Sequence, residues 1–491
     1  MKLKLFFFLL FPFLGISQVQ LGQDVDGEAY RNHSGFSVSL SSNGRIVAVG
    51  TVYGSNGVFK SGGYVSVYEY INASGLWKKI GNNINGRAAY DDFGNSVSIS
   101  ADGKIVAVGA NTGNTNNLKM TGYVRVFHNV SGSWVQLGQD INGELAYDQL
   151  GKSVSLSADG TTLAIGIPHK VSSIHANGQV VIYKFISGAW VQVGNKLNGD
   201  TAYDSFGLKV ALSSNGNTLA ITAPGGYQHP YSYVRVYNNI SGVWTQIGND
   251  IVREGVFDYM SSISISADGT ILAVGAHSNN GNGFSSGHVR IFKNVSGLWI
   301  QVGSDIDGEA PSDSSGHSVS LSADGNTIAI GAFLNDGING VDSGHTRVYK
   351  NFAGVWTQLG IDIDGERSGD HSGFSVSLSA DGNTVAIGAK NNSEIFEDAG
   401  QLRVYDLTKT ASSNQFVLDN FNIYPNPTSD ILNISLESNL VFEKAVIYNN
   451  LGQIVKEANQ EVINVSELAK GIYYVEVTTN QGRATKRVII K

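Results

Sequence analysis

A phrase of the form "SVSLSADGNTIAIGA" returns along this 491-residue chain with its turn glycine at Gly44, Gly103, Gly160, Gly216, Gly269, Gly325 and Gly382. The gaps are 59, 57, 56, 53, 56 and 57 residues, which makes seven copies. A fixed period of this size restricts the fold to a solenoid or a propeller, in which each unit buries its faces against its neighbours. In the sixth copy four strands can be read: a is "HSVSLS", b is "TIAIGAF", c is "HTRVYKN" and d is "VWTQLG". Strands a and c alternate polar with apolar, whereas b is the short apolar run of a strand covered on both faces. Every a–b link carries Asn-Gly or Asp-Gly, which reads as a two-residue type I′ hairpin with φ > 0 at both central residues. The c–d link, usually "NVSG", "NISG" or "NASG", is a second tight turn.

The six tryptophans, Trp77, Trp134, Trp190, Trp244, Trp299 and Trp356, mark six d strands. The seventh copy stops at its strand c, "QLRVYDL" (401–407), while the orphan phrase "VQLG" stands at 19–22. The expected fold is therefore all-β: a seven-bladed β-propeller over 18–408, closed when the N-terminal strand completes the last blade. Closure removes a free sheet edge, which otherwise invites association.

Hydrophobic residues make up 42% and charged residues 15% of the chain, enough apolar surface for a packed core. The net charge of −8 argues against nucleic acid, which selects a basic face. Cysteine is absent, which excludes disulfides, thiolate metal sites and Cys nucleophiles. The start, "MKLKLFFFLLFPFLGISQ", reads as a secretory signal peptide over 1–17: two lysines, an apolar run and small residues before the cut. That run is too short to span a bilayer, so an exported monomer without a membrane span is expected.

After a polar linker (409–420), the segments "ILNISLE", "KAVIYNN", "GIYYVEVTT" and "ATKRVIIK" predict a small β-sandwich over 421–491. "NIYPNPTSDILNIS" (422–435), "VIYNNLGQIV" (446–455) and "LAKGIYYVEVTTNQGRATKRVIIK" (468–491) resemble the C-terminal sorting domain (type A) of the type IX secretion system of Bacteroidetes. The resemblance implies an Ig-like fold, the type IX machinery as partner, and a secreted or outer-cell-surface location. It places the sorting motif on Tyr424, Pro425, Asn426, Pro427, Gly452, Gly471, Tyr473 and Lys491. The repeats resemble FG-GAP units, the propeller repeats of integrin α-chains, at Phe93-Gly94, Phe206-Gly207, Gly166-Ile167-Pro168 and Ala223-Pro224. Calcium-binding copies of that family carry an acidic loop between strands a and b, a place taken here by a tight turn.

The d–a loops carry "D-x-D-G-E" phrases at Asp24, Asp26, Glu28, at Asp305, Asp307, Glu309 and at Asp362, Asp364, Glu366. Alternate oxygens can begin a calcium shell of six to eight ligands. Asp and Asn exchange freely there (Asn83, Asn85, Asn142, Asn198), so the phrases read as Asx turns and no metal or cofactor is expected. The recurring Asp91, Asp148, Asp204, Asp313 and Asp370, and the strand-c Arg125, Arg235, Arg290, Arg347 and Arg403, read as framework for the same reason: they repeat.

Function belongs where copies differ. The b–c loops at 167–178, 223–233 and 276–284 and the d–a loop at 249–260 diverge most, and by topology share one face. They nominate His169, His175, Tyr227, His229, Tyr231, Arg253, Tyr259 and His277 for ligand binding, histidines being suited to metal and tyrosines to stacking on sugar rings, although no histidine pair has metal-ligand spacing. No nucleophile elbow, phosphate loop or zinc-peptidase motif is present, so no catalytic residue is assigned. The expectation is a non-catalytic adhesion protein that binds an extracellular glycan or protein. The alternatives are a carbohydrate-active hydrolase or lyase using that same face, and a surface protein without a pocket.

Overall fold

The computed structural model describes residues 18–54, 62–170, 177–225, 232–256, 258–408, 421–436, 440–449, 454–479 and 482–491. They fall into two compact units, Gln18–Thr408 and the described residues between Phe421 and Lys491.

The first unit holds seven antiparallel sheets, each ordered a–b–c–d, with a short fifth strand that pairs with strand c beyond d. In sheet 1 these are Ser34–Leu40, Ile46–Thr51, Tyr64–Ile71 and Leu76–Lys79, then Ile84–Asn85. Strand b is the buried one, as its apolar run requires: Val47, Ala48 and Val49 are essentially inaccessible. In the seventh sheet Thr384–Ala389 pairs with Gln401–Asp406, and that strand pairs in turn with Val19–Gln20 from the start of the chain. Val19 lies opposite Asp406 and Gln20 opposite Tyr405, while Val25 and Asp26 oppose Leu402 and Gln401. Leu21 N donates to Val404 O at 2.7 Å, and the Gln18 amide donates to Leu359 O and Ile361 O at 2.7 and 2.8 Å.

The a strands adjoin one another in sequence, with the first against the seventh, so the sheets form a closed ring and the fold is propeller-like. Just past each a strand one backbone amide donates to its neighbour's carbonyl. The series runs from Ser42 to Ala101, Ala158, Ser214, Ala267, Ala323, Ala380 and back to Ser42, at 2.8 to 3.0 Å. These residues and the leucines and isoleucines above them, including Leu40, Ile99 and Leu156, line an axial cavity of about 170 Å³.

The serines of "SVSLS" do not face water. Strand a is an inner edge whose outward amides lack a ladder partner, and a buried unpaired amide is costly. Ser39 Oγ accepts from Ile99 N, Ser98 Oγ from Leu156 N, Ser155 Oγ from Leu212 N, and Ser377 Oγ from Leu40 N, all at 3.0 to 3.1 Å. Polar alternation in this strand is therefore sheet-to-sheet cement. Replacing Ser98 by Ala orphans the Leu156 amide and should cost about 1–3 kcal/mol, read as a shift in denaturant midpoint at constant slope.

Tryptophan does the same at the rim. Trp134 Nε1 donates to Ile80 O, Trp190 Nε1 to Leu137 O and Trp356 Nε1 to Val302 O, each 2.9 Å away in the preceding sheet. Trp77 Nε1 reaches Leu21 O, at 2.7 Å, in the N-terminal strand.

The turns differ from the expectation. At the a–b link only the glycine has positive φ, for example Gly103 at 74°. Asp102 stays on the ordinary side of φ because its carboxylate accepts from Ser100 Oγ and from Lys104 N, an Asx turn. The type I′ geometry sits at the c–d link instead. Ser131 and Gly132 both have positive φ, 50° and 87°, and Asn129 Oδ1 accepts from Gly132 N. The "N-x-S-G" phrase is thus turn chemistry.

In the second unit, a three-stranded sheet (Phe421–Tyr424, Ile431–Leu436, Val462–Asn464) and a four-stranded sheet (Phe442–Tyr448, Ile454–Ala458, Gly471–Thr479, Gly482–Ile490) share one core. Phe421, Leu432, Ile434, Ile447, Val475 and Val488 fill it. The Asn426 amide donates to Arg487 O and its oxygen accepts from Ile489 N, both at 2.9 Å, which fastens the "YPNP" loop to the last strand. Lys491 N closes the same seam on Thr428 O, and Tyr473 Oη donates to Ala469 O. Gly471 opens its strand; Gly452 lies outside the described residues.

Candidate ligand-binding site

Six of the seven d–a loops are pinned by an aspartate, and Asn32 takes its place in the loop that enters the first sheet. Asp91 Oδ2 accepts from Arg87 N, Ala88 N and the Tyr123 hydroxyl, and Asp204 repeats this with Thr201 N and Tyr233 Oη. The strand-c arginines span sheets: Arg347 donates to Asp307 O and Arg403 to Asp364 O, both at 2.6 Å, in the sheet before. The pinned loops hold Tyr90, Tyr147 and Tyr203 at φ 62°, 67° and 65°. A left-handed conformation costs a non-glycine residue roughly 1–3 kcal/mol, so the framework, not the tyrosine, sets it. These rings stand 67%, 56% and 46% exposed on three successive loops.

Inside this rim the start of strand a and the end of strand b open the ring's axis. One arc is imidazole and phenyl. His277 meets His317 edge-on at 5.6 Å between ring centroids, His317 lies 4.4 Å from Phe333 and 4.8 Å from Phe374, and Phe374 lies 5.0 Å from Phe36. Lys390 Nζ sits 4.2 Å over the Phe374 ring. Asn391 bridges two more imidazoles, His33 and His371, at 3.1 Å each. On the other arc Lys152 approaches Asn95, and Lys209 is near enough to Lys152 for the two to repel.

Crowding of like charge in a protein-walled mouth shifts these groups as expected. Lys209 is solvent-accessible yet surrounded by protein, and desolvation with Lys152 beside it pushes its pKa down to about 8. Burial lowers His277 and, with Lys209, Lys390, His277 and His371 around it, holds His317 well below the ordinary imidazole value. Lys152 and Lys390 are lowered by burial, each partly restored by a carboxylate, Asp92 and Asp398 respectively.

Of the residues the sequence nominated, the structure brings His277 and His169 toward this mouth. His277 Nδ1 is held by Ser261 Oγ at 2.8 Å, and exposed His169 feels the charge of Lys152. Tyr259 is half-buried just before strand Met260–Ile265. Arg253 lines a separate outer cleft of about 490 Å³ with Asp200, Asp204, Tyr233 and Asp250. His175, Tyr227, His229 and Tyr231 lie outside the described residues. Sequence reasoning missed His317, Phe374, Phe36, Lys152, Lys209 and Lys390. For Phe36, Lys152, His317 and Phe374 the signal was the position just before "SVSL", which reads Phe36, Asn95, Lys152, Leu208, Ser261, His317 and Phe374; Lys209 replaces the first serine of that phrase and Lys390 follows the end of a b strand.

Three groups have metal-ligand chemistry: Glu254, His288 and Asp305; Glu309, His345 and Asp362; Asp24, Glu366 and Glu394. In the first two a guanidinium already engages the glutamate, Arg290 at 3.0 Å and Arg347 at 3.3 Å. Burial pushes His345 down to about 4. In the third, the buried Gln401 amide is shared between Glu366 and Glu394. In each group a guanidinium or amide thus also engages a carboxylate of the cluster.

Residues 422–491 match the model of the secretion system C-terminal sorting domain. The protein is therefore exported, to the cell surface or beyond it, through type IX secretion. Beta-agarase D of Zobellia galactanivorans is 38% identical over 74 residues, a stretch covering 15% of this chain and 15% of that enzyme. Among solved structures, a putative 6-phosphogluconolactonase from Bacteroides uniformis aligns at TM-score 0.47 and 13% identity, over 67% of this chain and 85% of that one. The RRP9 WD40 repeats align at TM-score 0.47 and 12% identity, over 79% and 99%.

Proposed function

We propose that the first unit is a seven-bladed β-propeller of FG-GAP-like repeats acting as a non-catalytic binding module for an extracellular glycan, delivered by the Ig-like sorting domain. The observation that carries this is the mouth of the ring, where aromatic and imidazole groups from four sheets meet lysines from two others inside a rim of exposed tyrosines. Flat rings with polar edges suit sugar faces and hydroxyls. Glycosidic hydrolysis takes two facing carboxylates. Among the described residues, the groups named at the mouth are mainly cationic and aromatic, which favours binding over the hydrolase reading.

A glycan-array screen of the mature protein tests this. Saturable binding that falls about tenfold or more in Tyr90→Ala/Tyr147→Ala or in Phe374→Ala is expected, since aromatic anchors dominate such contacts. Binding untouched by all three substitutions would move the ligand off this face.

A further inference from the structure

We infer that the axial mouth is an anion site, which receives a carboxylate or sulfate carried on the glycan; this rests on the glycan-binding reading and names its ligand class. The chain is acidic overall, with a net charge of −8, yet Lys390 Nζ lies 4.2 Å over the Phe374 ring, Phe374 lies 4.8 Å from His317 and His317 5.6 Å from His277, while Lys152 and Lys209 each stand directly before an a strand of the same ring. Seven a strands supply this opening, so residues far apart in the chain add their charges at one point. Clefts of one sign with low-dielectric walls concentrate counter-ions.

Carboxylates flank these groups: Asp92 lies near Lys152, Asp398 near Lys390, His371 and His33, and Asp342 and Asp370 near His371. Lys209 is the least compensated: the charged groups that act on it or that it acts on are Lys152 and His317. An anion placed among these groups relieves their mutual repulsion, so it binds more tightly than to a lone surface lysine. It also favours the protonated form of each, which couples binding to proton uptake.

The sign follows. Lys209 loses its charge as pH rises through about 8. The buried histidines gain charge only on the acid side, because burial lowers them. Affinity for an anionic ligand should therefore fall as pH rises through about 8, whereas a site built on ordinary lysines, with pKa near 10.4, would stay flat there.

The test is calorimetric titration of the mature full-length protein with sulfated, uronate-bearing and neutral oligosaccharides of equal length, and with inorganic sulfate. The expected result is binding of both acidic series at least about tenfold tighter than the neutral one. Lys209→Gln should cost about tenfold and flatten the pH profile, the loss of one charge-assisted contact. Lys209 is solvent-accessible, so an unchanged melting curve will show the variant folded; Lys390→Gln gives a second, independent reading. Equal affinity for neutral and acidic chains, or indifference to both substitutions, overturns the anion site while leaving glycan binding standing. Sulfate bound in a Lys209-dependent way without any oligosaccharide binding supports the anion site and overturns the glycan reading.

Discussion

Removal of Gln18–Gly22 should lower the melting temperature of the secreted protein by about 6 °C and make it associate at concentrations where the intact protein does not. The deletion strips the last sheet of its outer strand: the Val19 and Gln20 ladder, the Leu21 amide on Val404 O, and the Gln18 bonds to Leu359 O and Ile361 O. It also takes away Leu21 O, the acceptor of the Trp77 indole in the neighbouring sheet. Five such bonds at about 1 kcal/mol each amount to about 5 kcal/mol. Against an unfolding entropy of about 2.1 cal/mol/K per residue, over a unit as long as Gln18–Thr408, this gives the shift stated. Association follows because the Val404–Asp406 half of strand Gln401–Asp406 becomes an open edge, Val25 and Asp26 still covering Leu402 and Gln401. Calorimetry and light scattering read the two effects separately. An unchanged midpoint with unchanged scattering would mean that the ring does not depend on its N-terminal strand.

The second large effect concerns delivery. Without residues 421–491 the protein should stay inside the cell envelope, with release to the medium reduced to background, while the ring melts as before. The two compact units have separate cores, so the loss of one leaves the other's packing intact. A finer variant is Asn426→Ala, which cuts both bonds between the "YPNP" loop and the last strand. It should reduce export strongly and leave the melting of the ring unchanged. Fractionation of cells and medium by immunoblot decides; release of the truncated protein at the normal level would remove the sorting role from this domain.

The repeat and its offset start were legible because they live in backbone periodicity, which a chain displays locally. Turn type was not. Asn-Gly and Asp-Gly invite a type I′ reading, but Ser100 two residues earlier gives Asp102 a hydroxyl partner and keeps it out of the left-handed region. The role of the serines of strand a was not legible either, since alternation does not say whether the polar side meets water or another sheet. The mouth was the least visible feature. His317, Phe374 and Phe36 stand in three different repeats, and only closure of the ring turns them into neighbours. A search confined to divergent loops found His277 and His169 but passed over the variable position just before the constant phrase.

The circuit of amides from Ser42 through Ala380 and back has no terminus. A stack of strands with two ends unravels from either of them, but a loop of equivalent links offers a protease no first link to pull. Any one bond can open only against the other six, and what remains in reach is the hairpin tips. In a chain without a single cysteine, closure of this circuit joins the ends of the row of sheets without any covalent cross-link.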